Sequence, residues 1–215
     1  MEKIIHQIWV GPYDIPVREK SFIENLKNMN PTWEHKLWTN DNLPNLPDNI
    51  QEMYDVFERQ KDYAHQADIL RVFLLKEYGG LYMDVDFKCS EGFDSSKLDE
   101  FDGFFCYHGG NDYTMPNGVF GSVKNSSIIN YLTDLIDYKS GGWYGPSWLG
   151  DSVKKFFNLE REVSHELVEN KLKEINFQYI LFYELERKHI RHHALYSWSP
   201  ENKRNFETGN INYLK

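Results

Sequence analysis

Apolar and polar positions along this chain divide it into short strands and amphipathic helices. Residues 4–10 form a nearly unbroken apolar run that closes on Gly11-Pro12, which predicts a buried strand ending in a turn. Over 18–29, Phe22, Ile23, Leu26 and Met29 fall at helical spacing, and Asn30-Pro31 stops the run. A short strand at 35–38, a turn at 39–42 and a proline-containing loop at 43–49 follow, then a helix over 50–59. The clearest helix is 64–78, where Ala67, Leu70, Leu74 and Tyr78 make one stripe before Gly79-Gly80 supplies the stop. A strand over 81–87 comes next. The order β-α-β, then helix-helix-β, predicts an α/β sheet with helices packed on its faces.

The second half is patterned more weakly. Residues 90–102 read as irregular, and short strands at 103–107 and 118–123 flank a Gly/Asn-rich loop. A helix is predicted over 127–138, a Gly/Trp loop over 141–150, an amphipathic stretch over 159–175 and a strand over 179–185, with a polar tail from 189 onward. No repeat or linker interrupts this order, so one domain over 1–215 is expected.

Composition narrows the function. The chain has 215 residues, 40% hydrophobic and 16% aromatic, which argues for a packed core rather than disorder. A formal net charge of −9 argues against a broad nucleic-acid footprint, because phosphate backbones attract Lys/Arg-rich surfaces. It leaves room for a small diphosphate neutralised by a metal on carboxylates. Cys89 and Cys106 are too few for a disulfide scaffold and read as reduced core thiols. No stretch reaches the roughly 20 apolar residues of a membrane span. The N-terminus enters a strand-like pattern with no signal peptide, so a cytoplasmic location, in a cell or infected host, is expected, with peripheral membrane contact if the acceptor is lipid-linked.

The candidate chemistry centres on Tyr82-Met83-Asp84-Val85-Asp86. Alternation along a strand would put Asp84 and Asp86 on one face, at the carboxyl end where α/β sheets bind ligands. Two such carboxylates suit a hard divalent cation. On the helix before them, Asp68 and Arg71 are three apart and share a face.

The run from Ala67-Asp68-Ile69-Leu70-Arg71 through Gly79-Gly80 to Tyr82, Asp84 and Asp86 resembles the central signature of the DXD-containing sugar transferases, glycosyltransferase family 32. It is similar, too, to capsular polysaccharide synthesis proteins and to the catalytic domains of the large clostridial glucosylating toxins. Lys3 to Trp9 resembles the family's opening strand, and His192-His193-Ala194-Leu195-Tyr196-Ser197-Trp198 its closing motif. The resemblance implies a GT-A fold with a mixed, mainly parallel sheet flanked by helices. Residues 1–90 would form the nucleotide-sugar half, and 100–200 the acceptor half with a C-terminal flap.

The resemblance also implies roles. Trp9 would stack on the base with Ile8 beside it, and Asp68 and Arg71 would grip sugar and ribose. Asp84 would bind hydroxyls or the metal, flanked by Tyr82 and Val85, and Asp86 would be the direct metal ligand. His193 or His192, with Ser197, would complete the shell of Mn²⁺ (or Mg²⁺). Trp198 would cover the diphosphate, and Asn117 would lie on the acceptor side. The donor would be a nucleotide-sugar, a UDP-sugar by the toxin-like features, and the acceptor a glycan, a lipid-linked sugar or a protein. Retention of configuration is implied. An inverting enzyme would need a base, for which Asp112 and Asp151 are candidates by loop position. The competing readings are a nucleotide-sugar hydrolase and an inactive carbohydrate-binding homologue.

Overall fold

The structure is a computed structural model. It describes residues 1–93, 98–109, 114–137 and 144–182, together with the backbone of 190–192. The chain opens with β1 (Ile4–Ile8), α1 (Val17–Met29), β2 (Glu34–Trp38), α2 (Asp48–Gln60), α3 (Tyr63–Tyr78) and β3 (Gly80–Met83). It continues with β4 (Phe87–Cys89), β5 (Gly103–Tyr107), β6 (Val119–Ser122) and α4 (Ser127–Asp134). Then come α5 (Pro146–Phe156), α6 (His165–Glu174), β7 (Phe177–Leu181) and β8 (Ile190–His192).

Among the described residues the main sheet has six strands in the order β2-β1-β3-β6-β5-β7. The pairs β2/β1, β1/β3 and β5/β7 are parallel, and β6 runs antiparallel to both its neighbours. This is the mixed, mainly parallel sheet that the family resemblance implied. Alternation sends Ile5, Leu81, Met83, Phe104, Cys106 and Val119 into the core on one side. On the other side Ile8, Tyr82, Phe105 and Phe120 pack against α2, α3 and α4.

Helix α3 is the centre of that second core. Its residues Ile69 through Leu75 are all buried, Arg71 among them. It starts where the Asp62 carboxylate accepts from the His65 amide and ends at Gly79. Gly79 (φ 67°) and Gly80 (φ 100°) both lie in the left-handed region, and a Cβ on Gly80 would run into the Ile4 carbonyl oxygen. The double glycine therefore both stops the helix and lets β3 pair tightly with β1. One buried polar residue supports the same corner. His6 accepts from Trp38 Nε1 through Nδ1 at 3.0 Å, and its Nε2 lies 2.8 Å from the Gly79 carbonyl. Both cysteines are buried and free.

Three expectations are corrected. The strand predicted over 81–87 is two strands, since β4 leaves the main sheet to pair antiparallel with β8. Asp84 and Asp86 thus sit in the turn between β3 and β4, not on one strand face. The loop predicted over 141–150 contains the start of α5. Pro146 opens this helix at a position that needs no N–H, and Leu149 and Val153 bury its apolar face. Asp151 is accordingly a helix residue. Finally, the amphipathic stretch becomes a helix only from His165, where the Ser164 hydroxyl caps the Leu167 amide at 3.2 Å.

Candidate functional site

The carboxyl ends of β1 and β3 bring the sequence-predicted residues together. Arg71 projects from α3 beneath the turn that holds Asp84. Its Nη2 lies 3.0 Å from Asp68 Oδ1 and 3.4 Å from Asp84 Oδ1. Its Nη1 donates to the Asn117 carbonyl at 2.6 Å and its Nε to the Ala67 carbonyl at 3.2 Å. The guanidinium also stacks over the Tyr82 ring, 4.6 Å from its centroid. Asn117 closes the ring of contacts by donating from Nδ2 to Asp68 Oδ1 at 2.8 Å. The guanidinium is thus engaged by protein oxygens on several sides, and it orients the two carboxylates and Asn117.

Asp84 is held by several neighbours and keeps one side, 31% of its side chain, exposed. The Tyr82 hydroxyl donates to its Oδ1. Its amide donates to the Gly118 carbonyl at 2.8 Å, and its own carbonyl accepts from Gln7 Nε2 at 3.4 Å. A Cβ on Gly118 would stand 2.7 Å from Asp84 Oδ2 and 3.1 Å from Phe87. The carboxylate therefore needs a glycine there. Gln7 and Gly118 were not singled out by sequence reasoning. A polar residue in an otherwise apolar strand was the available signal for Gln7, and Gly118 offered none beyond following Asn117.

The electrostatics are those of a crowded acidic site. Burial pushes the Asp84 carboxyl up to about 6, with Asp86 and Asp68 adding to the shift and Arg71 and the Tyr82 hydroxyl opposing it. Burial likewise raises Asp68, against Arg71, His65 and Asn117. Burial disfavours the Arg71 charge, but Asp84, Tyr82, Asp68 and Asp86 outweigh it and hold the guanidinium above its ordinary value. Asp68 and Asp84 against one guanidinium leave one formal negative charge, Asp86 in the same turn adds a second, and the donor atoms are hard oxygens. That set fits a divalent cation. Among the described residues no three His, Cys, Asp or Glu side chains form a metal shell on their own.

The remaining expected residues are placed as follows. Trp9 follows β1 at the same sheet edge, half-buried, with its indole N–H donating to the Tyr13 carbonyl at 2.7 Å. The Ile8 and Val85 side chains are buried, so only their main chains can face a ligand. Asp86 is buried next to Val85. His193, Ser197, Trp198 and Asp112 lie outside the described residues, as does the side chain of His192. The backbone of β8 is informative, because His192 pairs with Phe87 and the strand runs from Cys89 toward the Asp86 turn. Asp151 lies 3.4 Å from Arg161, in an ion pair away from this cluster's contacts.

Comparisons with known proteins agree with this geometry. Residues 16–101 match the family described as the glycosyltransferase sugar-binding region containing DXD motif. An uncharacterized glycosyltransferase of Acanthamoeba polyphaga mimivirus is 34% identical over 137 residues, which cover 60% of this chain and 53% of that protein. A mannosyl phosphorylinositol ceramide synthase of Saccharomyces cerevisiae is 34% identical over 149 residues, 67% of this chain and 37% of that protein. The chain thus spans about half the length of the first relative and less of the second. In fold, it superposes on the PaToxG glycosyltransferase with a TM-score of 0.63 at 18% identity, covering 81% of this chain and 75% of that one. With the DXD turn at the carboxyl edge of a mixed sheet, residues 16–101 of this chain carry the DXD-containing sugar-binding region of glycosyltransferases, and the chain has the GT-A fold.

Proposed function

We propose that this chain transfers a sugar from a nucleoside-diphosphate sugar to a hydroxyl acceptor, with a divalent metal, Mn²⁺ or Mg²⁺, held at Asp84 and Asp86. One observation carries the reading: Asp68 and Asp84 share a single guanidinium at the carboxyl ends of β1 and β3, with Asp86 two residues farther along the same turn. When bound, the metal would offset the charge that develops on the departing diphosphate. Imidazole from the 192–193 region would favour Mn²⁺, and the direction of β8 supports its approach.

The chain's own residues do the rest. Arg71 and Tyr82 fix the Asp84 carboxylate, and Asn117 fixes Asp68, so that both present preset oxygens to sugar hydroxyls. Trp9 offers an aromatic face to the base at the neighbouring strand end. We read the transfer as retaining, since the described candidate base for inversion, Asp151, is paired with Arg161. The names of the yeast relatives, mannosyltransferases of inositol phosphoceramide, make mannose and a lipid-linked polyol the donor and acceptor to try beside UDP-sugars and glycans. Among the described residues no helix is long and apolar enough to cross a membrane.

Thermal unfolding with UDP-glucose or GDP-mannose tests the reading. With Mn²⁺, one of the donors raises the melting temperature, since a ligand that binds only the native state stabilises it. A chelator abolishes the rise, as does Asp86→Asn, which also slows sugar transfer on the order of 10²-fold or more. No shift with any donor at millimolar Mn²⁺ would refute the metal-dependent donor site.

A further inference from the structure

The loop that follows β1 is held in one shape from several sides. Asn40, in the turn after β2, clips it through both main-chain polar groups of Gly11. The Gly11 amide donates to Asn40 Oδ1 at 3.0 Å, and Asn40 Nδ2 donates to the Gly11 carbonyl at 2.9 Å. Tyr63, the first residue of α3, lies against the same glycine. Gly11 sits at φ 103°, where glycine is favoured, and a Cβ there would stand 2.8, 2.9 and 3.0 Å from three Tyr63 ring carbons. The Tyr13 ring meets Tyr63 edge-on, with centroids 6.3 Å apart. The Trp9 indole N–H spans the loop to the Tyr13 carbonyl at 2.7 Å.

The clip is itself braced. Asn42 Oδ1 accepts from the Thr39 amide at 2.7 Å, and Asn42 Nδ2 donates to the Leu37 carbonyl at 2.9 Å. The turn that presents Asn40 is thereby fixed to the end of β2, and the Trp9 amide joins that end by donating to the Trp38 carbonyl at 2.8 Å. Asn40 is exposed, and Trp9 and Gly11 are half-buried. Hydrogen bonds at such a wet edge add little net stability, but they remove conformational freedom from a loop that contains a glycine.

Position gives that rigidity a use. In the β1/β3 pair Ile5 is opposite Leu81 and His6 opposite Tyr82, so by continuation Ile8 runs level with Asp84, with Trp9 one residue beyond. Neighbouring strands lie roughly 5 Å apart. Tyr63 and Asp68 are on one helix, about 7.5 Å apart along its axis. The loop is thus bolted to α3, which carries Asp68 and Arg71. Because the Tyr13 carbonyl takes the indole N–H, what Trp9 can offer a ligand is a ring face, and stacking needs that face at a set tilt.

We propose that Asn40 is a positioning residue for the nucleobase of the donor. It acts through Gly11, holding the 9–13 loop, and with it Trp9, in the stacking conformation before the ligand arrives. Resting on the donor-site reading above, this deepens it by dividing the site into a diphosphate end set by carboxylates and a base end set by Asn40, Gly11 and Tyr63. A loop ordered in advance spares the ligand the cost of ordering it. Only the part of the ligand that meets the loop gains by this, and that part is the base.

Calorimetric titration of the full chain with Mn²⁺ tests the assignment, using UDP, GDP and inorganic pyrophosphate as probes. The wild type binds one of the nucleotides more tightly than pyrophosphate by about tenfold or more, the share expected of a stacked base. In Asn40→Ala the affinity for that nucleotide falls by about fivefold or more, while that for pyrophosphate is unchanged. Gly11→Ala, which drives a Cβ into the Tyr63 ring, reproduces the split by a separate route. A clip that only secures the sheet edge would lower both affinities together or neither, and either result overturns the proposal. So does a wild type that binds nucleotide no more tightly than pyrophosphate, which would leave the metal-held diphosphate standing. A wild type that binds none of the three probes refutes the donor reading, and the role of Asn40 falls with it.

Discussion

The two chemical regions of the sheet edge differ in how they are held. The Asp68–Arg71–Asp84–Asn117 cluster is polar and cross-linked, with each carboxylate restrained by at least two partners. The Tyr107–Tyr179–His165 stack is aromatic, half-buried and held mainly by ring packing. The contrast teaches that charged groups at this edge are preset by mutual cross-links, as the proposed diphosphate donor requires, whereas the aromatic groups are fixed by packing on one another and serve the frame.

Arg71→Met is the strongest way to break that division. It leaves Asp68 and Asp84 without their cation in a largely buried site, which costs about 3–5 kcal/mol. The melting temperature falls by many degrees and Mn²⁺-dependent nucleotide binding is lost. Retained Mn²⁺-dependent nucleotide binding in the folded fraction would remove Arg71 from the proposed donor site.

Gly118→Ala is gentler and more pointed. The added Cβ meets Asp84 Oδ2, the movable end of a side chain, so the carboxylate shifts and the fold survives at a cost of about 1 kcal/mol. Calorimetric titration with Mn²⁺ and nucleotide shows weaker binding by tenfold or more, out of proportion to the stability change. Unchanged affinity would remove the close fit at Gly118 from the account.

The smallest net effect concerns pH, because two shifts of similar size oppose each other. Burial lowers the His6 pKa from 6.5 to about 4, so its contribution to stability is complete above 6.5 and is lost as pH falls toward 4. By linkage that amounts to roughly 3 kcal/mol. Asp84 runs the other way in the metal-free protein. Its pKa is raised from 3.8 to about 6, so the stability it contributes is complete below 3.8 and is lost as pH rises through 6. Urea unfolding of metal-free protein between pH 4 and 7 therefore shows opposing trends. His6→Gln removes the first and exposes the second, so its stability declines from pH 4 to 6. Mn²⁺ affinity rises with pH through 6 as Asp84 gives up its proton. An identical pH slope in wild type and His6→Gln would contradict the neutral, buried imidazole.

Much of the first 90 residues was legible because the signals there are local. The helix over 64–78, the double glycine and the aspartates lie within one contiguous run, and their spacing requires no knowledge of distant residues. Helix α5 was missed because Gly145-Pro146 marks either a turn or a helix start, and packing of Leu149 and Val153 decides which. The break after Met83 was missed for a similar reason. Residues 81–87 are continuously strand-like, and only the pairing of Phe87–Cys89 with Ile190–His192, about a hundred positions later, draws β4 out of the sheet.

By itself, then, the sequence determined the α/β class, the helix before the DXD turn and the carboxylates that define the site, since these follow from periodicity and from side-chain chemistry within a few turns of chain. The tertiary structure alone decided which groups restrain those carboxylates. Gln7, Gly118 and the Asn117 carbonyl reach Asp84 and Arg71 from segments remote in sequence, and Tyr107 meets Tyr179 only because β5 and β7 pair. Non-local pairing is a property of the whole packed chain, so no window of residues can encode it.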